Sequence, residues 1–252
     1  DVRAPVRHVP LDTVFNLRDL GGHPTADGAV ALGRLYRSDG LHGLAGPDLD
    51  RVRALGLRTV LDLRTERELD EGSFPVRAHP VRLHHLPVLA RTWDDTDDIG
   101  ALVERSTPYL VARYIDLLVE GAPAYARAVT LMAEPDGCPL VFHCAAGKDR
   151  TGVLAALVLS LLGVDDADIA ADYALSAEAM ARRLAWLQAH RPEAAALMAS
   201  HPTGWLAAPV DAMVALLGHL RQVHGGAEGY LRTAGVDEDV LAHLRRELVI
   251  AR

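Results

Sequence analysis

The sequence contains only two cysteines, Cys138 and Cys144, among its 252 residues. The segment between them is typical of a strand, in which each residue adds about 3.3 Å, so the two lie roughly 20 Å apart. A disulfide requires Cα atoms within about 7 Å of each other. We therefore predict that the cysteines do not pair with each other, and we interpret Cys138 as a small structural residue.

The chain has fewer basic than acidic residues, and its formal net charge is −8 at pH 7. A protein whose main partner is nucleic acid or an anionic membrane needs a basic surface to contact phosphates. The composition therefore argues against both classes of partner. A locally positive loop is still compatible with a negative whole.

Long apolar runs are missing as well. The longest one, residues 152–164, is too short to span a bilayer. The first 15 residues carry charges and two prolines in place of the apolar centre of a secretory signal. We predict no transmembrane segment and a cytoplasmic location, although a chain that starts at Asp1 without methionine leaves secretion open.

The order of apolar patterns predicts an α/β fold. Apolar residues make up 50% of the chain, which at this length is enough for a full core, and no internal repeat, low-complexity tract or long linker divides it. We predict a single domain, residues 1–252, that is entirely helical beyond Leu162. Strands are predicted at 14–20, 30–36, 58–63 and 81–89, helices at 47–55, 101–119 and 123–134, and later breaks at 163, 191–192, 201–202 and 225–226.

One short segment, residues 143–152, carries the candidate chemistry and reads HCAAGKDRTG. It follows a short β-favouring run, 139–142, and precedes a continuous apolar run of good helix formers, 153–162. In a loop between strand and helix, backbone N–H groups can turn inward as a nest, and the helix N-terminus adds positive potential. The predicted anion site comprises Ala145, Ala146, Gly147, Lys148, Asp149 and Arg150.

The side chains of this loop predict a nucleophile and an anion clamp. A helix N-terminus and nearby cations lower the pKa of a cysteine, so we expect Cys144 to be a thiolate at neutral pH. Arg150 offers a planar fork that matches two phosphoryl oxygens. Gly147 permits the tight turn, and Thr151 can donate a hydrogen bond to the sulfur. Such a site requires no metal and no cofactor.

The pattern HCxxGxxR followed by Ser or Thr resembles the cysteine-dependent phosphatase superfamily. The longer form HCxxGKDRTG resembles the bacterial tyrosine/serine phosphatases with phosphoinositide-like activity. The resemblance implies the cysteine-phosphatase fold, with a central mostly parallel sheet flanked by helices, and a phosphocysteine intermediate. It implies catalytic roles for His143, Cys144, Asp149, Arg150 and Thr151. Further similar blocks are residues 16–22 (NLRDLGG), 33–38 (GRLYRS), 60–65 (VLDLRT), 172–176 (DYALS) and 225–231.

Polar residues of the N-terminal blocks have two interpretations. They either form a buried network that braces the loop or contact the substrate directly. We interpret them as supporting residues around the site. They are Asn16, Arg18, Asp19, Arg34, Arg37, Asp39, Asp62 and Arg64.

Two candidates compete for the general acid that protonates the leaving oxygen. The resemblance implies Asp149, which lies inside the loop. An acidic segment, residues 93–98, is the alternative if it folds over the pocket, although such a run is more often a solvated loop. Its carboxylates are Asp94, Asp95, Asp97 and Asp98.

Two further features have a functional and a plain interpretation. Lys148 contacts a second anionic group of the substrate or is simply solvated at a loop tip. Residues 177–205 form amphipathic helices that are either ordinary core or, as the resemblance implies, a helical lid over the pocket. His79, His84 and His85 are not predicted to bind metal, because adjacent strand residues point to opposite faces and carboxylates of suitable spacing are lacking.

The predicted activity is hydrolysis of phosphomonoesters. By resemblance the substrates are phosphotyrosine, with phosphoserine or phosphothreonine, and phosphoinositides, so the partners are phosphorylated proteins or lipids. The same loop chemistry also suits a small phosphorylated metabolite, because the loop recognises the phosphoryl group and not its carrier. A catalytically silent phosphate-binding scaffold is disfavoured by the intact Cys144, Arg150 and Thr151.

Overall fold

The computed structural model describes residues 7–92, 107–200 and 206–251. The strands in these ranges are β1 (Arg18–Asp19), β2 (Pro24–Thr25), β3 (Gly28–Val30), β4 (Leu35–Ser38), β5 (Thr59–Asp62), β6 (Arg82–His85), β7 (Leu140–His143) and β8 (Val249–Ala251). The helices are α1 (Gly46–Ala54), a 3₁₀-helix (Arg67–Glu71), α2 (Thr107–Glu120), α3 (Ala122–Met132), α4 (Asp149–Leu161), α5 (Asp166–His190), α6 (Pro192–Ser200), α7 (Val210–His224), α8 (Ala227–Thr233) and α9 (Glu238–Leu248).

The main sheet has the strand order β1-β4-β7-β5-β6. Strands β4, β7, β5 and β6 run parallel, and only the edge strand β1 is antiparallel to its neighbour. The predicted α/β fold with a mostly parallel sheet is therefore confirmed. Because parallel strands end at the same edge, Ser38, Asp62 and His143 lie side by side in register, and the loops that follow them meet there.

The central strand β7 contributes to both apolar layers. Val141 packs with Tyr36 and Val60 in a cluster that includes α1, whereas Phe142 and Leu61 belong to the large cluster that includes the helices of the opposite layer. This alternation follows from the two-residue period of a strand. The sheet is thus covered on both faces, which is the usual condition for parallel strands.

Helix α4 lies at the centre of the larger layer. It is buried along almost all of its length, from Arg150 to Leu161. A helix that is apolar on every side is stable only when other elements surround it. This burial explains the uninterrupted apolar run after the loop and fixes the start of α4 firmly behind the strand edge. In the described ranges, no helix combines the length and the apolar character that crossing a bilayer requires.

Two sequence predictions about the strands were wrong. Residues 30–36 are not one strand, because Gly33 adopts a φ of 72° and separates β3, in a second sheet of order β2-β3-β8, from β4 in the main sheet. The C-terminal part is not entirely helical, because β8 directly follows α9 and pairs with β3. Pairing with a strand more than 200 residues away leaves no local pattern in the sequence.

Other predicted elements agree with the structure in part. The strand predicted at 14–20 is reduced to β1, and the helix predicted at 101–119 is described only from Thr107 onward. The predicted breaks at 163, 191–192 and 225–226 each separate two observed helices. The break at 201–202 and the acidic segment lie outside the described residues. Both cysteines are free, as predicted.

Candidate active site

The candidate site is the loop that joins β7 to α4. Its tight turn depends on Gly147, which has a φ of 66° and whose hypothetical Cβ would lie 2.5 Å from the carbonyl oxygen of Ser38. No other residue fits that space or tolerates that conformation easily. The strand edge and the loop are thereby held in direct contact.

A cavity of about 680 Å³ opens over this loop. Cys144, Asp149 and Arg150 line it together, although Cys144 is only 2% exposed. A volume in this range is typical of small-ligand sites. The loop, the segment after β5 and the helices α5 and α6 all contribute to the wall, which includes His42, Glu68, Glu71, Leu89, Thr92, Ala145, Ala146, Met180, Arg183, Leu187, Arg191, Ala194, Leu197 and Met198.

Arg150 is held by a carboxylate that the sequence analysis did not identify. Its two Nη atoms donate to the two Oε atoms of Glu68, at 2.6 and 2.7 Å. Burial by itself lowers the pKa of Arg150, but nearby Cys144, Glu68 and Asp149 outweigh burial and raise it above the ordinary value. Burial likewise acts to raise the pKa of Glu68, and the bonds to Arg150 bring it below the ordinary value. Both partners are therefore charged, and the pair orients the guanidinium.

Glu68 has a sequence signature that could have pointed to it. The backbone N–H of Thr65 donates to Glu68 at 2.8 Å, and the hydroxyl of Thr65 accepts from the N–H of Glu68 at 3.3 Å. This reciprocal pair is the capping-box pattern Thr-x-x-Glu at the start of a helical turn. The pattern predicts a turn after β5, but the partner of the carboxylate is visible only in the folded chain.

Arg64 and Asp62 support the segment that carries Glu68. The guanidinium of Arg64 is fully buried and contacts the Asp62 carboxylate at 2.6 Å. Its remaining N–H groups donate to the backbone carbonyls of Glu68, at 3.1 Å, and Gly72, at 2.8 Å. Burial acts to raise the pKa of Asp62, but the bonds from Arg64 keep it below the ordinary value. This ion pair fixes the backbone behind the Glu68 carboxylate.

Asn16 and Arg37 contact the back of the loop. Asn16 donates through Nδ2 to the carbonyls of Ala146 and Gly147, at 3.1 and 3.0 Å, and Arg37 donates to the carbonyl of Gly147 at 2.8 Å. Because these carbonyls point to the back of the loop, the N–H groups can point to its other side, as a nest of N–H groups requires. Asp39 in turn accepts from the backbone N–H of Asn16 at 2.9 Å and holds that residue in place.

Asp172, on α5, is the anion at the centre of a buried arginine cluster. Arg7, Arg18 and Arg37 donate to its carboxylate at 2.8 to 3.1 Å. Burial acts to raise the pKa of Asp172, but Arg18, His23 and Arg37 hold it well below the ordinary value. The cluster connects α5 to β1 and β4. It thereby holds Arg37 in position to bond the carbonyl of Gly147 in the loop.

Asp19 and Arg34 make their contacts away from the loop. The Asp19 carboxylate accepts from the backbone N–H groups of Gly21 and Gly33, at 2.7 and 2.6 Å. The carbonyl of Arg34 accepts from the N–H of Leu140 and pairs β4 with β7. These two residues therefore shape the turns and the sheet at a distance from the cavity.

Lys148 is the only lysine of the chain. Its side chain is buried, and Nζ donates to the carbonyl of Ala207 at 3.0 Å and lies 3.7 Å from Oδ1 of Asp149. The interpretation as a solvated loop tip is therefore wrong, because the segment before α7 covers the ammonium. Asp149 lines the cavity, whereas the competing carboxylates of the acidic segment lie outside the described residues.

Residues 180–198 lie over the loop. Met180, Leu187, Ala195 and Met198 form a small apolar cluster of their own, against which Ala146 packs. Arg183 also donates to the carbonyl of Ala145 at 3.2 Å. The predicted lid segment thus forms one wall of the cavity and is separate from the main core, and its last five residues, 201–205, lie outside the described ranges.

His143 and Thr151 are fully buried at the two ends of the loop, His143 directly before Cys144 and Thr151 directly after Arg150. The Nδ1 atom of His143 faces the carbonyl oxygen of Cys144 at 3.3 Å, and Nε2 lies 3.7 Å from Asp62. Burial lowers the pKa of His143 to about 4, so the imidazole is neutral in the folded protein. A neutral ring on the carbonyl of Cys144 positions the backbone of the nucleophile and does not itself enter the cavity.

This buried imidazole predicts a specific loss of stability in acid. The unfolded chain protonates His143 as the pH falls through 6.5, whereas the folded protein does so only near pH 4. The contribution of the neutral imidazole to the free energy of unfolding is therefore fully present above pH 6.5 and declines towards pH 4. The decline between pH 7 and pH 5 is about 2 kcal/mol. We expect denaturant unfolding of His143→Asn to lack this part of the decline. His190→Asn, at an exposed position, serves as the control and should retain it; an unchanged slope in His143→Asn would contradict the assignment.

The geometry defines a class of protein, an α/β fold with a mostly parallel sheet in which a cysteine and an arginine of one loop line the same cavity. The chain matches the tyrosine phosphatase family over residues 9–250. It therefore belongs to that family, and the predicted resemblance is confirmed.

Three relatives illustrate the match. A Cupriavidus necator protein carrying a tyrosine-protein phosphatase name is 39% identical over 66% of this chain, and the chain spans 62% of that protein. The tyrosine-protein phosphatase of Nostoc commune is 29% identical over 87% of this chain and 76% of its own length. The triple specificity protein phosphatase PtpB of Mycobacterium tuberculosis is 29% identical over 97% of this chain and 99% of its own length.

Among solved structures, P. aeruginosa TpbA is 18% identical, with a TM-score of 0.36 and coverage of 79% of this chain and 99% of that one.

Proposed function

We propose that this protein hydrolyses phosphomonoesters through a phosphocysteine intermediate. The observation that carries the proposal is that Cys144 and Arg150 line one cavity. Glu68, on the 3₁₀-helix, holds the guanidinium of Arg150 in place. A preoriented cation next to a cysteine suits transfer of a dianionic group, because it stabilises charge without rearranging during the reaction. We further propose that residues 1–252 form a single phosphatase domain, supported by the pairing of β8 with β3 and by a family match over residues 9–250.

In the first step, the Cys144 thiolate attacks phosphorus and forms a P–S bond as the P–O bond to the leaving group breaks. Asp149 gives its proton to the departing oxygen, so the products are an alcohol or phenol and an S-phosphocysteine. Arg150 and the N–H groups of the loop bind the equatorial phosphoryl oxygens.

In the second step, water attacks the phosphocysteine. The Asp149 carboxylate removes a proton from that water, the P–S bond breaks, and the sulfur leaves as a thiolate with inorganic phosphate as product. Thr151 is fully buried at the start of α4, and we propose that its hydroxyl donates to the departing sulfur. The protein returns to its starting protonation state, and no cofactor takes part.

The proposed substrates are phosphotyrosine, phosphoserine or phosphothreonine, and phosphoinositides. Their support is the mixed wall of the cavity, in which Met180, Leu187 and Leu197 offer apolar contact and Arg183 and Arg191 offer positive charge. The name of the mycobacterial relative also includes triple specificity. A small phosphorylated metabolite is the second candidate, favoured by the fact that α5 and α6 cover the cavity.

We propose that residues 177–205 act as a lid that opens for larger substrates.

Asp149→Asn tests the assignment of the acid through its dependence on the leaving group. An alkoxide is a poor leaving group and needs a proton, whereas p-nitrophenolate departs easily. We expect the turnover of a phosphoserine peptide or a phosphoinositide to fall roughly 100-fold, and that of p-nitrophenyl phosphate far less. The measurement is kcat on a panel of phosphopeptides, phosphoinositides, phosphorylated metabolites and aryl phosphates.

The controls for this experiment are the asparagine variants of the acidic segment at Asp94, Asp95, Asp97 and Asp98. These should not show the dependence on the leaving group. A steep dependence in one of them would transfer the acid to that segment, and an equal loss on every substrate in Asp149→Asn would leave it with a structural role only.

A further inference from the structure

A buried tyrosine contacts the proposed acid. The hydroxyl of Tyr114, on α2, donates to Oδ1 of Asp149, on α4, at 2.7 Å. Tyr114 is fully buried. We propose that Tyr114 is a positioning residue for Asp149, which holds one carboxylate oxygen so that the other delivers the proton. The inference rests on the proposed function, because it gives Asp149 the role of general acid.

A second tyrosine fixes the direction of the hydrogen bonds. The hydroxyl of Tyr173, on α5, contacts the hydroxyl of Tyr114, and the two rings meet edge to face with centroids 6.1 Å apart. The single proton of Tyr114 is donated to Asp149, so Tyr173 must be the donor between the two hydroxyls. Gly152 makes room for this arrangement, since its hypothetical Cβ would lie 3.1 Å from the Tyr173 ring. The result is a directed chain from Tyr173 through Tyr114 to Asp149.

Both tyrosines are permanent donors. Burial raises the pKa of Tyr114 well above the ordinary value, and the neighbouring Asp149 raises it further. Burial and Asp149 also raise the pKa of Tyr173. Neither hydroxyl therefore ionises at neutral pH. The chain does not act as a proton reservoir, and its role is to supply a fixed dipole to Asp149.

The hydrogen bond from Tyr114 favours the transition state over the ground state. Before transfer, Oδ1 is the carbonyl oxygen of a neutral acid, whereas after transfer it belongs to a carboxylate. A donor bonded to a charged acceptor is roughly twice as strong as one bonded to a neutral acceptor. The bond therefore strengthens as the proton leaves Oδ2 for the departing oxygen. Lys148, 3.7 Å from the same Oδ1, reinforces this preference.

The test is Tyr114→Phe, which keeps the ring and removes the donor. We expect kcat on alkyl phosphates, such as a phosphoserine peptide, to fall by about 10-fold, in line with the loss of one charge-assisted hydrogen bond. We expect kcat on p-nitrophenyl phosphate to change less than about 2-fold, because that leaving group hardly needs the acid. In the double variant with Asp149→Asn, the loss on alkyl phosphates should equal that of Asp149→Asn alone.

Tyr230→Phe is the matched control. Tyr230 is also buried, and its hydroxyl also donates to α2, to the carbonyl of Leu118 at 2.6 Å. Its loss should lower the melting temperature without changing the ratio of alkyl to aryl turnover. If Tyr114→Phe fails to fold, Tyr173→Phe replaces it. Loss of the Tyr173 hydroxyl weakens donation by Tyr114, so kcat on alkyl phosphates should again fall more than kcat on aryl phosphates, by a smaller factor.

The outcomes separate this inference from the proposed function. Absence of phosphatase activity in the unmodified protein would overturn the proposed function itself. Activity in the unmodified protein, with an equal loss on aryl and alkyl phosphates in the tyrosine variant or an additive loss in the double variant, would overturn only the role of Tyr114.

Discussion

Replacement of Cys144 by serine is expected to abolish turnover of p-nitrophenyl phosphate while phosphate binding is retained. A serine hydroxyl forms its anion far less readily than a thiol, so the nucleophile is lost. The anion site is otherwise unchanged, since it consists of backbone N–H groups and Arg150. The measurement is kcat for the variant, together with a binding titration with vanadate or inorganic phosphate.

Cys138→Ser is the matched control for this experiment. Cys138 is buried at the opposite end of β7, where its sulfur lies 3.6 Å from the carbonyl oxygen of Met132. Burial raises the pKa of the Cys138 thiol, which therefore stays unreactive. Turnover should persist in this variant. In the unmodified protein, turnover should be insensitive to EDTA and should be blocked by vanadate or by oxidation of the thiol. Full activity of Cys144→Ser, or inactivation by EDTA, would contradict the proposed mechanism.

Arg150→Lys is expected to lower kcat by roughly 100- to 1,000-fold, the cost of losing a preorganised donor to the transition state. The guanidinium bonds Glu68 through both Nη atoms, and in the proposed mechanism its further N–H groups bind the phosphoryl oxygens. A lysine has a point charge and no fork, so it cannot satisfy the carboxylate and bind the phosphoryl group bidentately. The measurement is kcat and KM on an aryl phosphate.

The control is Arg221→Lys, which alters an ion pair with Asp166 on the surface. It should leave kcat and the melting temperature nearly unchanged, because exposed ion pairs contribute little. The melting temperature of Arg150→Lys must be measured in parallel, since Glu68 loses part of its partner. A nearly normal kcat in a folded Arg150→Lys would show that the loop is not the clamp for the transition state.

The loop itself could be predicted from the sequence because its determinants are local. A β-favouring run, a glycine at the turn and an apolar helix follow one another within about 20 residues, and Cys144 and Arg150 lie six positions apart. Neighbours so close in the chain are placed by backbone geometry alone. The same holds for the free cysteines and for most helix breaks, where Gly or Pro ends an element.

Supporting residues could be predicted only as a group. Asn16 and Arg37 were expected near the site, and both contact the loop carbonyls. Asp19 belongs to the same sequence block as Asn16 but instead bonds the N–H groups of Gly21 and Gly33. Similarity of a block does not say which member faces the loop. The side of the strand and the register of its pairing decide this.

The sequence by itself determined the α/β class, the family and the residues of the proposed reaction centre, because motifs and apolar periodicity are patterns of residues close together in the chain. The tertiary structure alone decided which side chains complete the site. Glu68 reaches Arg150 across 82 positions, and Tyr114 reaches Asp149 across 35. Such contacts exist because parallel strands end at one edge and helices pack behind it. Burial then strengthens each pair by excluding water, an effect that chain order cannot encode.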